Sequence, residues 1–318
     1  MDSNVYNVAF LHHYFMDAIT LRDLTKNYAD GTAALKSISF SLKEGEFFAL
    51  LGQNGAGKTT TINILTGLAN KTSGEVRLFD KDVVRNYQAA RSLIGLVPQE
   101  FNMDQFEKVY NVLFFSAGYF GIPRSQRPAK IEALLRELDL WDKRNSKVRE
   151  LSGGMKRKVM IARALIHEPK IIILDEPTAG VDVETRKSMW AYFQRLNKKG
   201  ITILLTTHYI EEAEELCKRI AIIHKGNIIA LDTKDNLLEL LERETVRIVL
   251  QEAITKIPLS LKKYNIVVKN NTLTFTFNPK ENAFQQLLTD LQKAGLAIKK
   301  IETERTTLED VFLHLTKK

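Results

Sequence analysis

The fold of this chain is decided by the stretch Gly52-Gln53-Asn54-Gly55-Ala56-Gly57-Lys58-Thr59-Thr60. It fits the pattern G-x-x-x-x-G-K-[ST] in full. The run Glu46–Leu51 before it has the length and apolar character of a strand, and the residues from Gly57 to Leu68 follow a helical pattern. We therefore predict a glycine-rich loop that connects a strand to the start of a helix.

The residue types in this loop suit the binding of phosphate groups. Gly52, Gly55 and Gly57 let backbone N–H groups turn inward around an anion without a clash from Cβ atoms. The helix N-terminus adds its partial positive charge. The Lys58 ammonium is expected to reach the β- and γ-phosphates, and the Thr59 hydroxyl to ligate Mg²⁺. The sequence thus predicts a P-loop for Mg·ATP, with all nine residues of the quoted stretch as nucleotide-binding residues.

A second segment supplies the acidic groups that such a site needs. The apolar run Ile171–Leu174 predicts a buried central strand, and Asp175 and Glu176 follow it directly. In open α/β sheets, ligands bind at the carboxyl ends of the strands. We expect Asp175 to hold Mg²⁺ through its water shell and Glu176 to polarise the attacking water.

A third motif lies between these two, Leu151-Ser152-Gly153-Gly154-Met155-Lys156-Arg157. It resembles the LSGGQ signature of the ABC ATPases, which P-loop kinases, GTPases and helicases lack. Other positions follow in the order of that family: Tyr28 resembles the A-loop aromatic residue that stacks on adenine, Gln99 the Q-loop, Ala179–Asp182 the D-loop, and His208 the H-loop switch. The resemblance covers about residues 17–235.

This resemblance implies an α/β P-loop NTPase of the ABC ATPase fold, with a RecA-like core, an antiparallel β subdomain and a helical signature subdomain at about residues 100–160. It also implies that Ser152, Gly153 and Gly154 bind the γ-phosphate of an ATP held by a second copy. The predicted catalytic residues are then Lys58, Gln99, Glu176 and His208, and the predicted metal ligands are Thr59, Gln99 and Asp175. Met155 replaces the consensus Gln, so we expect an altered ATP affinity rather than an inactive site.

The same resemblance predicts two kinds of partner. Intact motifs favour a homodimer of ATP-binding subunits with two competent sites. Met155–Arg157 resembles the exporter-type subfamily that serves ABC-2 permeases, and Thr307–Phe312 resembles the C-terminal extension of that subfamily. Leu140–Asn145 and Thr178–Asp182 resemble the YadG-type subunits, so a transmembrane permease is the second expected partner. The uncharged region Val109–Ile122 either faces that permease or belongs to the internal core.

The chain is predicted to have three parts. Residues 1–16 are interpreted as an N-terminal tail, residues 17–240 as the ATP-binding domain, and residues 241–318 as a small α+β accessory domain. In the last part, apolar residues alternate with polar ones around Val246 and Phe275, as in strands, and recur at helical spacing around Leu287 and Val311.

Composition limits the alternatives. The net charge of +8 is spread evenly, with 33 Lys and Arg against 29 Asp and Glu in residues 1–240 and 13 against 9 in residues 241–318, so we expect no nucleic-acid partner. One cysteine, Cys217, excludes an internal disulfide framework.

The sequence has no predicted membrane span, and we expect a cytoplasmic protein held at the inner face of the membrane by its permease. The alternative is a soluble ABC ATPase that acts on ribosomes or nucleic acid, although a single P-loop and the short segment between Lys58 and Asp175 argue against it.

Overall fold

The computed structural model describes residues 17–240, 244–254, 257–277, 282–304 and 307–316. The predicted N-terminal tail, residues 1–16, lies outside them. The chain divides into two compact units. The first extends to Leu216 and includes Ile223–Ile228, and the second comprises Cys217–Ile222 and the chain from Ile229 onward. The domain boundary predicted near residue 240 stays a prediction.

Fourteen strands are found in the described part of the chain. Their bounds are β1 Asp17–Asn27, β2 Ala33–Lys43, β3 Phe47–Leu51, β4 Ser73–Leu78, β5 Lys81–Asp82, β6 Ile94–Val97, β7 Ile171–Asp175, β8 Thr202–Thr207, β9 Arg219–His224, β10 Asn227–Thr233, β11 Glu244–Leu250, β12 Val267–Lys269, β13 Thr272–Phe277 and β14 Ile298–Glu304.

Ten α-helices are found in the same residues. Their bounds are α1 Lys58–Leu65, α2 Tyr87–Ser92, α3 Val109–Tyr119, α4 Arg127–Glu137, α5 Gly153–Leu165, α6 Val183–Lys198, α7 Ile210–Leu216, α8 Lys234–Glu239, α9 Ala283–Lys293 and α10 Leu308–Thr316; short 3-10 helices span Trp141–Lys143, Val148–Glu150 and Leu259–Tyr264.

A parallel sheet forms the centre of the first unit. Its strands β3, β8, β7 and β6 lie side by side in that order. Every residue of β3, β7 and β8 is buried, which confirms the predicted buried strand at Ile171–Leu174. Leu51 pairs with Thr207, and Asp175 pairs with Thr206, so the carboxyl ends of these strands meet at one edge of the sheet.

An antiparallel sheet of four strands, in the order β2-β1-β4-β5, accompanies this core. In β1, buried positions such as Ile19, Leu21 and Leu24 are interspersed with exposed ones. The sheet confirms the antiparallel β subdomain that the resemblance implied.

The helices differ from the sequence-based expectation mainly at their ends. The helix predicted from Gly57 to Leu68 begins at Lys58, with Gly57 as its N-cap, and ends at Leu65. Gly67 has a φ of +73°, a left-handed conformation that ends a helix, and Leu68 is 72% exposed. In the region predicted to be mostly helical, α3 and α4 contact one another and both contact α5, the helix that follows the signature motif.

The second unit contains a sheet with the order β12-β13-β11-β14, and all its neighbouring strands are antiparallel. With the 3-10 helix after β11 and α9 after β13, the order of elements is that of a ferredoxin-like βαββαβ fold. Val246, Ile248 and Phe275 lie in its core. Helix α10 contacts α8. The predicted α+β composition of this region is therefore observed.

The start of α10 carries a capping box. The backbone N–H of Thr307 donates to the Asp310 carboxylate at 2.9 Å, and the backbone N–H of Asp310 donates to the Thr307 hydroxyl at 3.3 Å. Across the described residues, no helix has the length and apolarity that crossing a bilayer requires.

Candidate functional site

The P-loop glycines are required for two different physical reasons. Gly55 has a φ of +79° and open space around its Cα, so only its backbone conformation demands glycine. Gly57 has a φ of +115°, and a Cβ there would lie 2.8 Å from the Leu35 side chain. Gly52 has no such φ, but a Cβ would lie 2.5 Å from the carbonyl oxygen of Ile223. Close neighbours therefore require glycine at positions 52 and 57, and the backbone conformation alone requires it at position 55.

Lys58 is the first residue of α1 and is only 4% exposed. Its ammonium group donates to the carbonyl oxygens of Gly52 at 2.6 Å and Gln53 at 3.2 Å. It also lies 3.3 Å from Oε1 of Glu176. The lysine charge is therefore directed at the P-loop and at the end of β7.

Asp175 is the last residue of β7 and is 6% exposed. Its Oδ1 accepts a hydrogen bond of 2.6 Å from the Thr206 hydroxyl on the neighbouring strand. Burial raises the pKa of this carboxyl, and the charge of Glu176 raises it further, against the opposing effects of Thr206, Lys58 and Arg157. A cation at this position would stabilise the charged form.

Glu176 follows β7 with a φ of +47°, a left-handed conformation that is uncommon outside glycine. Its Oε1 lies 3.0 Å from Nδ1 of His208 as well as 3.3 Å from the Lys58 ammonium. Its Oε2 is buried and has no hydrogen-bond partner among the described residues. One carboxylate oxygen is thus held by two side chains, and the other keeps its acceptor capacity.

His208 follows β8 and is partly exposed. Besides its contact with Glu176, its ring packs against Tyr209 with a centroid distance of 4.1 Å. The structure therefore joins Lys58, Glu176 and His208, three residues that are far apart in the sequence.

Tyr28 lies after β1 and is 39% exposed. Its hydroxyl is 3.5 Å from the hydroxyl of Thr60 in the P-loop helix, at the outer limit of a hydrogen bond. The Lys26 ammonium lies 4.7 Å from the ring centroid. The predicted adenine-stacking residue thus lies beside the predicted phosphate loop.

The signature motif lies at the start of α5. Ser152 caps this helix, because its hydroxyl accepts the backbone N–H of Met155 at 3.3 Å. Ser152 and Gly153 are exposed, and Gly154 is half-buried. Among the described residues, no hydrogen bond or ion pair joins this motif to the P-loop or to the end of β7.

Gln99 and Thr59 are also exposed, Gln99 in the loop after β6 and Thr59 in the first turn of α1. Within the described chain, no hydrogen bond links Gln99 to Thr59 or to Asp175. Among the described residues, no group of three or more His, Cys, Asp or Glu side chains is arranged to hold a metal ion. A hydroxyl, an amide oxygen and a carboxylate are nevertheless the oxygen ligands that Mg²⁺ prefers, usually together with substrate phosphates and water.

Two further residues act on this site, and the sequence pattern does not indicate either of them. Thr206 donates to Asp175, and Arg157, only 2% exposed, donates to the carbonyl oxygen of Pro98 at 2.8 Å. The Arg157 guanidinium also lies 4.9 Å from the Phe101 ring, which places it against the loop of Gln99. An arginine that follows the signature motif gives no indication of such burial by itself.

Comparison with known proteins places this chain in a family. A protein-family model described as ABC transporter matches residues 35–179. The Nod factor export ATP-binding protein I of Rhizobium etli is 37% identical over 310 residues, which cover 95% of this chain and 94% of the relative. The linearmycin resistance ATP-binding protein LnrL of Bacillus subtilis is 33% identical over 301 residues, or 92% of this chain and 96% of the relative. This chain belongs to the family of ABC transporter ATP-binding subunits.

Solved structures of ABC cassettes share the fold. The chain is similar to cbiO1 from Clostridium perfringens, part of the ABC transporter complex cbiONQ, with a TM-score of 0.65 and 30% identity over 71% of this chain and 92% of that one. It is also similar to a dimeric cassette in a post-hydrolysis state with ADP and Pi, with a TM-score of 0.61 and 30% identity over 68% and 98% of the two chains. The predicted ABC ATPase fold is confirmed.

Membership of this ABC family settles several predictions. The chain is an ATPase subunit of an ABC transporter that works with a separate permease, and ABC cassettes act as dimers. The alternatives of a P-loop kinase or GTPase, or of an ABC ATPase acting on ribosomes or nucleic acid, are not favoured by these likenesses.

Proposed function

We propose that two copies of this chain close head to tail around two Mg·ATP and drive an ABC-2 type export permease from the inner face of the membrane. In this arrangement the P-loop of one copy faces the signature motif of the other. The partner copy is part of each active site, and the permease selects the cargo.

One observation carries the proposal. A single copy holds Lys58, Asp175, Glu176 and His208 at one edge of the parallel sheet. Ser152 and Gly153 are exposed and, among the described residues, form no hydrogen bond or ion pair with that edge. A helix N-terminus with exposed N–H groups is a binding site for an anion. A second copy can bring such a terminus to the γ-phosphate.

The residues of one copy suggest how hydrolysis proceeds. The Lys58 ammonium would move from Glu176 toward the phosphates and neutralise their charge. Glu176 would then orient the attacking water, with His208 held to the same carboxylate and facing the γ-phosphate. Tyr28 would stack on the adenine.

Thr59, Gln99 and Asp175 would hold Mg²⁺ together with the phosphates. The ion, when bound, neutralises phosphate charge. Asp175 fits this role because burial disfavours its charge in the free chain and Thr206 fixes one of its oxygens, so a cation would supply the missing compensation. Gln99 would connect the ion to the loop that Arg157 contacts.

We assign to the permease the surface formed by the exposed face of α3 and the cavity beside it. Val109, Leu113 and Ala117 of α3 are buried, but Phe115 is 63% and Tyr119 is 83% exposed. The uncharged region Val109–Ile122 therefore buries one face of α3 in the core and exposes another face. A cavity of about 270 Å³ adjoins this face, lined by Leu68, Arg91, Tyr119, Phe120, Arg163 and His167 among others. Large exposed apolar side chains next to a cavity are typical of an interaction site.

Export is the direction that the relatives favour. The relatives from Rhizobium etli and Bacillus subtilis are named for Nod factor export and linearmycin resistance. From these names we infer export of a cargo that the permease selects.

A mixing experiment tests the shared site. Lys58→Ala removes the P-loop lysine but keeps the signature, and Ser152→Arg blocks the signature but keeps the P-loop. Each variant alone should be inactive, whereas a 1:1 mixture should recover roughly a quarter of the wild-type ATPase activity, because half of the dimers are mixed and each has one intact site of two. A mixture as inactive as its components would refute the head-to-tail dimer.

A further inference from the structure

The side chain of Glu212 is a buried acid that the steps above do not use. It lies on α7 and has no exposed surface, although glutamate is among the residues least often buried. Its Oε1 accepts hydrogen bonds from the Thr178 hydroxyl at 2.9 Å and from the Trp190 indole N–H at 3.1 Å. Burying a carboxylate costs free energy unless other groups compensate it. The groups that hydrogen-bond to Glu212 therefore show which segments it holds together.

These partners come from the segments that carry the catalytic pair. Thr178 lies two residues after Glu176, and Glu212 lies four residues after His208. The Glu176–His208 contact of 3.0 Å therefore joins the same two segments as the Thr178–Glu212 hydrogen bond. The first contact reaches the surface, because His208 is partly exposed, and the second is completely enclosed.

The bend at Glu176 explains why the segment needs a second attachment. The left-handed φ of +47° at Glu176 turns the chain sharply out of β7, and such a conformation persists only where surrounding contacts fix it. Thr178 is fully buried just beyond the bend, and its hydroxyl donates to Glu212. This hydrogen bond helps to fix the path of the backbone after the bend.

Helix α6 contacts the segment that carries His208 at two points. Its Trp190 donates to Glu212, and its Arg186 guanidinium lies 5.3 Å from the ring of Tyr209, which packs on His208. Helix α6, which begins directly after the D-loop, therefore contacts both Glu212 and the ring that packs on His208.

We propose that Glu212 is a positioning residue for ATP hydrolysis, because its carboxylate fixes the spacing between the Glu176 segment and the His208 segment. Glu212 touches neither nucleotide nor water in this role and acts only through those two residues. The inference rests on the roles proposed above for Glu176 and His208.

The test is steady-state ATPase kinetics of the full-length chain with Thr178→Val. This change removes the hydroxyl and keeps the shape of the buried side chain. We expect kcat to fall about tenfold, the effect of losing one buried hydrogen bond to a charged group, while KM for ATP changes less than about twofold. A kcat within about twofold of the wild type, or a KM that rises in proportion, would overturn the proposal.

Thr202→Val is the matched control. Thr202 is equally buried at the other end of β8, and its hydroxyl accepts the backbone N–H of Gly45 at 2.9 Å. This control should lose comparable thermal stability and keep its kcat. If both variants lose the same fraction of kcat, the effect of Thr178→Val is merely structural and the proposal fails.

Substitution of Glu212 itself gives a rescue test. Glu212→Gln keeps an acceptor oxygen for Thr178 and Trp190, whereas Glu212→Ala leaves both donors unpaired. We expect Glu212→Gln to stay within about threefold of the wild-type kcat and Glu212→Ala to lose at least about tenfold. Equal losses in the two variants would contradict a role that depends on these hydrogen bonds.

Parallel variants of the catalytic pair separate this inference from the proposed site. Glu176→Gln and His208→Ala should each abolish turnover. If they do so while Thr178→Val keeps full kcat, only the positioning role of Glu212 is wrong. If Glu176→Gln stays active, the proposed base is wrong, and the positioning role fails with it.

Discussion

The Lys58 ammonium lies 3.3 Å from Oε1 of Glu176, and both side chains are almost completely buried. A lysine from the P-loop and an acid from the end of β7 thus form an ion pair inside one subunit. Removing one partner of a buried ion pair leaves the other charge uncompensated, which is costly. Substitutions at either residue therefore affect the position of the other.

Glu176→Gln should retain ATP binding and dimer formation but lose turnover. The amide keeps the size of the side chain and cannot act as a base, so we expect kcat to fall roughly 10²- to 10⁴-fold. ATPase kinetics and size-exclusion chromatography with ATP would measure the two properties. Glu168→Gln, a change of an exposed ion pair with Lys130, is the control and should behave as the wild type. Near-normal turnover in Glu176→Gln would remove Glu176 as the base.

Tyr28→Ala should weaken ATP binding, whereas Tyr28→Phe should not. The ring that lies beside Thr60 is lost in the first variant and kept in the second. Stacking of a base on an aromatic side chain contributes about 1–3 kcal/mol, so we expect roughly a tenfold loss of affinity for Tyr28→Ala. Calorimetric titration with a non-hydrolysable ATP analogue would measure it. Equal affinities of the two variants would exclude adenine stacking on Tyr28.

Gly57→Ala should destabilise the chain more than Gly55→Ala. Both residues have a positive φ, which costs an L-residue about 1–2 kcal/mol. Only at Gly57 would the new Cβ also lie 2.8 Å from the Leu35 side chain. Denaturant unfolding in the absence of nucleotide would give both free energies of unfolding. A larger loss at Gly55 would mean that the P-loop backbone differs from the one described.

Glu212 should make the stability of the chain depend on pH. Burial raises its pKa above the usual 4.5, so the folded state keeps the proton at pH values where the unfolded state has lost it. The free energy of unfolding of the wild type should therefore be highest relative to Glu212→Gln below pH 4.5 and should fall as the pH rises through the folded-state pKa.

Denaturant titrations from pH 4 to pH 8 would check this dependence. Glu211→Gln, which changes an exposed residue of the same helix, is the matched control. A difference between wild type and Glu212→Gln that stays constant over this range would contradict the buried titration.

Met155→Gln, which restores the consensus signature, should alter the ATP affinity by only a small factor. The Ser152 hydroxyl caps the helix by accepting the backbone N–H of Met155, and this hydrogen bond does not depend on the Met155 side chain. Since a substitution outside the core usually shifts a free energy by at most about 0.5 kcal/mol, we expect kcat and KM to stay within roughly twofold of the wild type. A much larger gain would show that Met155 limits the shared site.

The sequence by itself was sufficient for the fold class and for the separate parts of the site. The P-loop pattern, the apolar run before Asp175 and the signature motif are local, because each depends on residue types at fixed spacing within one segment. For the same reason the alternation around Val246 and the helical spacing around Leu287 predicted the α+β module.

Only the tertiary structure decided which of these parts meet. Folding brings together segments that are far apart in the sequence, around the carboxyl edge of the sheet. The contacts that join them are those of Glu176 with Lys58 and His208, of Asp175 with Thr206, and of Glu212 with Thr178 and Trp190. Burial is likewise a property of the packed chain, and it raises the pKa values of Asp175 and Glu212. A linear pattern identifies which groups are present, but distance and desolvation depend on the folded arrangement, and these determine what the groups can do.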